Sequence, residues 1–321
     1  MMNSEKKSKT YTAITGLIMG MAEVVPGVSG GTIAFVAGIY EKLVETIDNT
    51  RVGIINLKKE GVRGFLKRID LAFIFSLLSG MVLGIITGVL AITYFLENYP
   101  PVIWSFFFGL IVGSCVYMLA KLRLKWQTFL ILGIGAAVAY TIGLYNYGSG
   151  IESGWFILIC GMIAITALVL PGISGSFMLL MLGMYTFIIN DTLKGLLTDF
   201  SFGKLYTLFI FGLGCLIGLF SIAKALRWAL SAYYNTSIAL LTGFMIGSLQ
   251  RIWPWRNPEL FLNKSTGEIT ELTLSEEEYK VISEVLVTPS AYEGDPHLLL
   301  SCMIFLIGLV AIGLFARYER G

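Results

Sequence analysis

The chain has 321 residues, of which 56% are hydrophobic and only 14% are charged, and its mean hydropathy is +0.78. Soluble domains carry about 25% charged residues, so this composition excludes an ordinary soluble domain. Several apolar stretches of about 18 residues or more indicate a polytopic membrane protein. The formal net charge of +2 gives no indication of a nucleic-acid partner, because membrane proteins sort their charges by membrane side.

The N-terminus and the cysteines limit what else the chain contains. Lys6, Lys7 and Lys9 lie near the N-terminus, ahead of the first apolar run. No small-residue cleavage site follows that run, so we expect no removable signal peptide. The cysteines lie in apolar segments without paired spacing, which favours packing positions over disulfides or metal ligands. They are Cys115, Cys160, Cys215 and Cys302. No metal site and no other cofactor is predicted.

The first apolar stretch is interrupted by the sequence VPGVSGGT at 25–32, hereafter the first turn. Proline lacks an N–H group and glycine tolerates strained dihedral angles, so this turn must break the helix. The flanking helices, at about 11–25 and 28–44, are each too short to cross about 30 Å of hydrocarbon. Basic residues lie on both flanks, which places both in the cytoplasm. A re-entrant hairpin at about 11–44 is therefore predicted, rather than one broken span.

Three membrane spans are expected after this hairpin. The loop at 97–101 has no basic residue and is expected outside, whereas Lys121, Arg123 and Lys125 place the following loop inside. Residues 1–150 then form the first half of the chain. The predicted spans lie at about 71–96, 102–122 and 127–145.

The second apolar interruption is LPGISGS at 170–176, hereafter the second turn. It predicts a second re-entrant hairpin at about 155–190, which enters from the outer side. Residues 151–321 form the second half, with an inner C-terminus. The predicted spans lie at about 205–229, 236–252 and 298–317. The fold class is therefore an all-α polytopic membrane protein of the cell inner (plasma) membrane, with both termini cytoplasmic.

A polar insert at 254–296 is expected on the outer face. Its stretch 261–273, with Ser265-Thr266-Gly267 at the centre, is typical of a small β-hairpin. The sequence SEEE at 275–278 resembles a capping box, so we expect a short helix from there through Leu286. The insert serves either as a solvated lid or as a solubilising loop.

The two halves repeat one another. A shift of 145 residues superposes the two turns, and a shift of 134 superposes two pairs of glycines. Because each half has one hairpin and three spans, the second copy must insert upside down, as an inverted repeat. The matched residues are Pro26-Gly27 with Pro171-Gly172, Ser29-Gly30 with Ser174-Gly175, Gly38 with Gly183, Tyr40 with Tyr185, Gly80 and Gly84 with Gly214 and Gly218, and Gly109 and Gly113 with Gly243 and Gly247.

The inverted repeat predicts that the two turns meet near the middle of the membrane and form an anion-binding cradle. Backbone N–H groups at the start of each returning helix attract anions, and hydroxyl groups add further donors. The alternative is a tight turn in which serine only caps the helix. The candidate residues are Ser29, Gly30, Gly31, Thr32, Ser174, Gly175 and Ser176.

Glu23 is an acidic residue inside the first apolar stretch, and its repeat mate is Leu168. A carboxylate within a membrane is costly and usually lines a pathway or relays protons. We therefore predict that Glu23 couples transport to a proton or to a sodium ion. The alternative is a carboxylate that caps nearby backbone N–H groups.

Three basic residues near the ends of spans are candidates for phosphate capture. Arg251 ends a span ahead of the interfacial WPW sequence at 253–255, and Lys224 and Arg227 mark an inner turn. The alternative for all three is topological anchoring. The only histidine, His297, lies in the polar insert and receives no role.

At these residues the chain resembles a bacterial and archaeal family, formerly of unknown function, that is associated with translocating undecaprenyl phosphate. The resemblance rests on EVVPGVSGGT at 23–32, PGISGS at 171–176, and GS at 247–248 ahead of WPW. It implies a flippase that returns a polyprenyl phosphate from the outer to the inner leaflet, recycling the carrier lipid of peptidoglycan and other envelope glycans. It also implies that the protein is not an enzyme.

Two other classes compete with this interpretation. One is a transporter or channel for a small anion. The other is a membrane polyprenyl-pyrophosphate phosphatase, but the turn of those enzymes continues with arginine where this chain has Gly30 and Gly175, and they rely on paired acids. An intramembrane serine protease needs a histidine base on a neighbouring span, and the predicted spans contain none.

Overall fold

The computed structural model describes residues 8–24, 29–123, 125–144, 153–194, 196, 200–263, 269–270 and 279–320. It is mostly helical, as predicted, with one small sheet. The helices are α1 (Lys9–Val24), α2 (Gly30–Val36), α3 (Tyr40–Ile55), α4 (Leu57–Arg68), α5 (Leu71–Asn98), α6 (Pro100–Lys121), α7 (Trp126–Leu144), α8 (Gly154–Val169), α9 (Gly175–Met181), α10 (Phe202–Ala232), α11 (Tyr234–Ser248) and α12 (Leu298–Arg320). A π-helical segment, Thr186–Lys194, follows α9, and a 3₁₀ turn, Leu249–Ile252, follows α11.

Both Pro-Gly sequences interrupt helices. The first separates α1 from α2, although its residues 25–28 lie outside the described residues, and the second separates α8 from α9. The helix after each turn is shorter than expected, because a glycine in the left-handed region ends it: Gly38 has φ 65° and Gly183 has φ 68°. These two glycines are matched in the sequence repeat, so the matched positions have the same backbone conformation.

Helices occur at all six predicted spans, but their lengths differ. Three are long and apolar enough to cross a membrane, namely Leu71–Leu96, Pro100–Ala120 and Phe202–Ala232. The apolar parts of two others are shorter, Trp126–Ile142 and Leu298–Gly313. Lys224 and Arg227 lie in the last turns of α10, which ends at Ala232 just before α11, so they lie at the end of this helix as predicted.

Glycines bring the helices together in four pairs. In α5, Gly80 and Gly84 lie against the backbone of α1, and in α10, Gly214 and Gly218 lie against the backbone of α8. A methyl group at Gly214 would overlap the carbonyl oxygen of Leu158. Small residues allow this close approach in membranes, where helices associate by packing. The other two pairs are α6 with α12, through Gly109 and Gly308, and α7 with α11, through Gly135, Gly243 and Gly247.

The main apolar core surrounds α2, and every residue of α2 is buried. Met245 of α11 and Tyr40 at the start of α3 contribute to the same core. A smaller apolar cluster joins α8 to the π-helical segment. The core therefore lies around α2.

The insert at 254–296 contains an antiparallel sheet with the order β2-β1-β3. Its strands are β1 (Arg256–Asn263), β2 (Ile269–Thr270) and β3 (Tyr279–Leu286). The pairing of Phe261 with Thr270 confirms the predicted hairpin, whose centre lies outside the described residues.

The predicted helix through Leu286 is wrong, because β3 occupies Tyr279–Leu286. The capping-box residues 275–278 lie outside the described residues. Val281, Ile282 and Val285 are β-branched and suit a strand, and β1 provides seven residue pairings for β3. Tertiary pairing with β1 therefore outweighs the local helix signal.

All four cysteines are free. Cys115 and Cys160 are buried, which confirms the prediction of packing residues for those two. Cys215 is half-buried and Cys302 is exposed on the protein surface, so the protein itself does not enclose these two.

Two glycines of α10 provide a matched test of helix packing. A Gly214→Ala variant should destabilise the protein by about 1–3 kcal/mol, because the added methyl forces α10 away from α8. Gly212→Ala should be neutral or slightly stabilising, because nothing lies within 4 Å of a methyl group there. Thermal unfolding of the detergent-purified variants measures both effects, and equal melting temperatures would contradict the described packing.

Candidate functional site

The structure brings the two turns into direct contact. Thr32, in the first helical turn of α2, accepts a hydrogen bond from the Gly172 N–H, with 2.9 Å between Oγ1 and N. The Ser29 hydroxyl lies 3.4 Å from the carbonyl oxygens of both Leu168 and Leu170 at the end of α8. Ser29, Thr32 and Ser174 are buried. The predicted meeting of the two turns is therefore present in the fold.

Glycine is required at this contact because the backbones approach closely. A methyl group on Gly31 would lie 2.7 Å from the Val169 carbonyl oxygen, and one on Gly172 would lie 2.6 Å from the Met245 nitrogen in α11. Gly172 also has φ +85°, a conformation that L side chains rarely adopt. Gly175 lies similarly close to the Ala164 carbonyl oxygen within its own hairpin. The turns thus contact each other and α11 through the main chain.

Serine and glutamate side chains satisfy the N–H groups at the start of α2. Ser29 caps the helix, with its Oγ 3.2 Å from the Gly31 nitrogen. Glu23, at the end of α1, accepts a hydrogen bond from the Gly30 N–H, with 2.7 Å between Oε1 and N. This is the capping contact that the sequence left open as an alternative for Glu23.

The second turn carries a pair of hydroxyl groups. Ser174 and Ser176 lie 2.9 Å apart between their Oγ atoms. Ser174 is buried and Ser176 is half-buried. This pair of hydroxyls follows Gly172, the residue of the second turn that donates to Thr32.

Arg251 lies near the turns but is separated from them along α11. Gly172 packs at Met245, and Arg251 is six residues further along the chain, about 10 Å along the helix axis. Arg251 is half-buried, and its carbonyl accepts a hydrogen bond from Arg256 at 3.1 Å.

Arg256 was missed by the sequence analysis. Its guanidinium lies 4.1 Å from the centroid of the Trp104 ring of α6 and pairs with Glu284 of β3 at 2.8 Å. Burial lowers the pKa of Arg256, and the Glu284 carboxylate opposes that shift. The only sequence signal was its position directly after the WPW sequence. Through its contacts with Trp104 and Glu284, Arg256 links α6 to the sheet of the insert.

Within the described residues, neither Lys224 nor Arg227 contacts the two turns. Arg227 pairs with Asp48 of α3 at 2.8 Å and donates a second hydrogen bond to Asn49 at 2.7 Å. Asp48 also pairs with Arg51 at 2.7 Å and is buried. Lys224 is exposed. Sequence reasoning missed this bridge between α3 and α10, because no local pattern links residues 179 positions apart.

The chain matches a known protein family. Residues 19–270, which contain both turns and Arg251, match the VCA0040-like family, described as undecaprenyl phosphate translocase-like. The chain belongs to this family. The match confirms the resemblance noted from the two turns, and it includes every candidate residue of the site.

Two curated relatives extend over most of the chain. A polyprenyl-phosphate transporter of Vibrio cholerae is 38% identical over 304 residues, which cover 93% of this chain and 95% of that protein. A polyprenyl-phosphate transporter of Staphylococcus aureus is 31% identical over 262 residues, covering 77% of this chain and 87% of that protein. No solved structure gives a significant match. The protein is accordingly a membrane protein of a transporter family.

The hydrogen bond between the turns can be tested by removing one hydroxyl. A Thr32→Val variant keeps the shape of the side chain but leaves the buried Gly172 N–H without its acceptor, which should cost about 1–3 kcal/mol of stability. Thr32→Ser retains the hydroxyl and should cost less. Thermal unfolding and amide hydrogen exchange at Gly172 measure the loss.

Thr242→Val is the matched control for this prediction. Thr242 is also a buried threonine, but its hydroxyl only donates to the Ile238 carbonyl in its own helix. Equal destabilisation by Thr32→Val and Thr242→Val would show that the contact between the turns contributes nothing of its own.

Proposed function

We propose that this protein translocates a polyprenyl phosphate, with undecaprenyl phosphate as the expected lipid, from the outer to the inner leaflet of the plasma membrane. The phosphate would bind where the two turns meet. The observation that carries the proposal is the buried contact between Thr32 and Gly172, which joins two broken helices. Non-helical backbone at membrane depth is tolerated only where protein or a polar cavity surrounds it, and such breaks in both halves point to a transporter's binding site.

The hydrogen bonds within the two turns explain how the proposed site could receive a phosphate group. Three backbone N–H groups there are occupied by side-chain oxygens: Gly30 by Glu23, Gly31 by Ser29 and Gly172 by Thr32. A phosphate brings several strong acceptor oxygens, so it can replace such partners without leaving a buried donor unsatisfied. The Ser174 and Ser176 hydroxyls would contribute further donors from the second turn.

The equivalent helix contacts of the two halves support the proposed inverted repeat. The matched glycine pairs Gly80/Gly84 and Gly214/Gly218 each pack a long helix against the first helix of its own hairpin. The next matched pair, at positions 109 and 243, packs α6 on α12 and α7 on α11, which are equivalent pairings when the halves are exchanged. We therefore retain six spans, two re-entrant hairpins and cytoplasmic termini as the proposed topology.

The basic residues have different proposed roles. Arg251 lies between the turns and the insert, a position suited to receiving a phosphate from the outer leaflet. Lys224 is exposed and suited to capture at the inner leaflet. Capture by Arg227 would require its pair with Asp48 to open first, because that guanidinium is already engaged.

Transport can be measured in vesicles that contain the purified protein and a fluorescent polyprenyl phosphate. Ser174→Ala and Ser29→Ala should each slow lipid movement about 10-fold or more, because a hydrogen bond to a charged group contributes roughly 1.5–3 kcal/mol. Glycine variants are less informative, because added atoms at Gly30 or Gly175 would also meet neighbouring protein atoms.

Ser114→Ala is the matched control for the transport measurement. Ser114 is a buried serine whose hydroxyl donates to the Leu110 carbonyl of its own helix. It should transport like the unmodified protein. Uptake of inorganic phosphate without movement of the lipid would favour the small-anion transporter instead, and unchanged lipid movement in both site variants would refute the proposed site.

Glu23 is proposed to couple transport to a proton or a sodium ion. An ionised carboxylate beside the entering phosphate would repel it strongly in a low-dielectric setting. Glu23→Gln mimics the protonated acid, and its amide oxygen can still accept from the Gly30 N–H. This variant should bind the lipid at least as tightly but lose its response to an imposed pH or sodium gradient. If it responds as the unmodified protein does, Glu23 is only a helix cap.

The proposed topology can be tested with single cysteines, after the exposed Cys302 is replaced by alanine. Lys9→Cys and Lys59→Cys flank the first hairpin and should label from the same side with a membrane-impermeant maleimide. Ser290→Cys, exposed in the insert, should label from the opposite side. Labelling of positions 9 and 59 from opposite sides would mean that the first hairpin spans the membrane.

A further inference from the structure

Helix α4 has an unusual surface for a segment that packs on so little protein. None of its residues is buried, and among the described residues α3 is the one helix against which it packs extensively. Leu57, Val62 and Leu66 are 41%, 66% and 45% exposed, and Ile55, just before α4, is 66% exposed. Apolar side chains on a short, otherwise polar helix need a cover that these residues do not provide.

The same helix is strongly basic. It has five basic residues and one acidic residue, a net charge of +4. The single acid, Glu60, pairs with Arg68 at 2.5 Å. The remaining basic side chains are exposed and have no ion-pair partner within the described part of the chain; they are Lys58, Lys59, Arg63 and Lys67. Apolar and cationic side chains therefore share one uncovered surface, the α4 patch (residues 55–67).

Helix α4 is held beside both α3 and α5. Only two residues separate its C-terminus from α5, one of the three described helices long enough to span a membrane. Asp70, which caps α5, pairs with Lys42 of α3 at 2.7 Å. In the C-terminal half of α4, Phe65 folds back against Gly53 of α3. These contacts keep α4 beside the first residues of α5, a helix long and apolar enough to cross a membrane.

We propose that the α4 patch lies in the membrane interface and binds the anionic phospholipid surface of its leaflet. A short helix of low net hydrophobicity, rich in lysine and arginine and carrying exposed aliphatic side chains, has the composition of an interfacial helix. The aliphatic side chains enter the boundary of the acyl chains, while the cations contact anionic headgroups. Gly61, with φ 65°, bends α4 between its two basic groups, which lets both follow one surface.

The positive-inside rule accounts for the basic residues of α4 but not for its exposed aliphatic side chains. Topological anchoring needs only basic residues near a span, whereas the α4 patch also exposes aliphatic side chains among them. A second protein could also cover such a surface, but four unpaired cations favour an anionic lipid layer over a neutral protein face. The phosphate site at the turns plays no part in this argument.

The test places a fluorescent reporter on the patch of the full-length protein. Val62→Cys, with Cys302 replaced by alanine, is labelled with an environment-sensitive dye in nanodiscs of phosphatidylcholine with or without phosphatidylglycerol. The dye should be blue-shifted and quenched by brominated lipid, and brominated phosphatidylglycerol should quench about twofold or more better than brominated phosphatidylcholine. A dye at Ser290→Cys, exposed in the insert, should report water in every lipid.

A charge variant with a matched control completes the test. Lys58→Gln/Lys59→Gln should weaken the preference for brominated phosphatidylglycerol, because only two of the four unpaired cations remain, whereas Arg123→Gln/Lys125→Gln, which removes two exposed charges from the loop between α6 and α7, should keep it. Equal quenching by the two lipids in the unmodified protein would refute binding of anionic lipid. Quenching at Val62→Cys only by aqueous iodide would refute interfacial insertion and point to a protein partner. Both results are independent of lipid-phosphate transport.

Discussion

The need to satisfy backbone polar groups away from water governs this structure. A Pro-Gly sequence within an apolar segment frees N–H and C=O groups that hydrocarbon cannot bond, at a cost of several kcal/mol for each group left unsatisfied. In the fold the two turns lie against each other. Thr32 accepts a hydrogen bond from the Gly172 N–H, and the Ser29 hydroxyl contacts a carbonyl oxygen at the end of α8. Neither turn could be buried in this way alone.

The close helix pairs position the two turns for their mutual contact. Gly80 and Gly84 set α5 against α1, while Gly214 and Gly218 set α10 against α8, so each hairpin has a long helix behind it. Close packing of backbones substitutes for the hydrophobic effect, which does not drive helix association in lipid. In this arrangement of α1 and α8, the turns lie within hydrogen-bonding distance of each other and against α11.

The two halves differ where chemistry is expected. At the positions matched by the repeat, Glu23 and Thr32 correspond to Leu168 and Phe177, so the carboxylate and the hydroxyl that bridges the turns occur once each. Arg227 likewise reaches across to Asp48, a pair with no counterpart in the other half of the repeat. Polar groups that occur in only one half of the sequence repeat suit the proposed directional transport, since the two halves then differ chemically.

Local sequence patterns predict the broken helices, the positions of the long helices and the glycine pairs, because proline, glycine and runs of apolar residues act on the backbone locally. The same local reasoning failed at Tyr279–Leu286, where pairing with β1 outweighed a capping-box signal. It also left two roles open for Glu23, and the fold placed its carboxylate on the Gly30 N–H. The contacts of Thr32 with Gly172, of Arg227 with Asp48 and of Arg256 with Trp104 depend on tertiary packing. The partners are far apart in the chain, and no periodicity or spacing encodes which side chains packing will bring together.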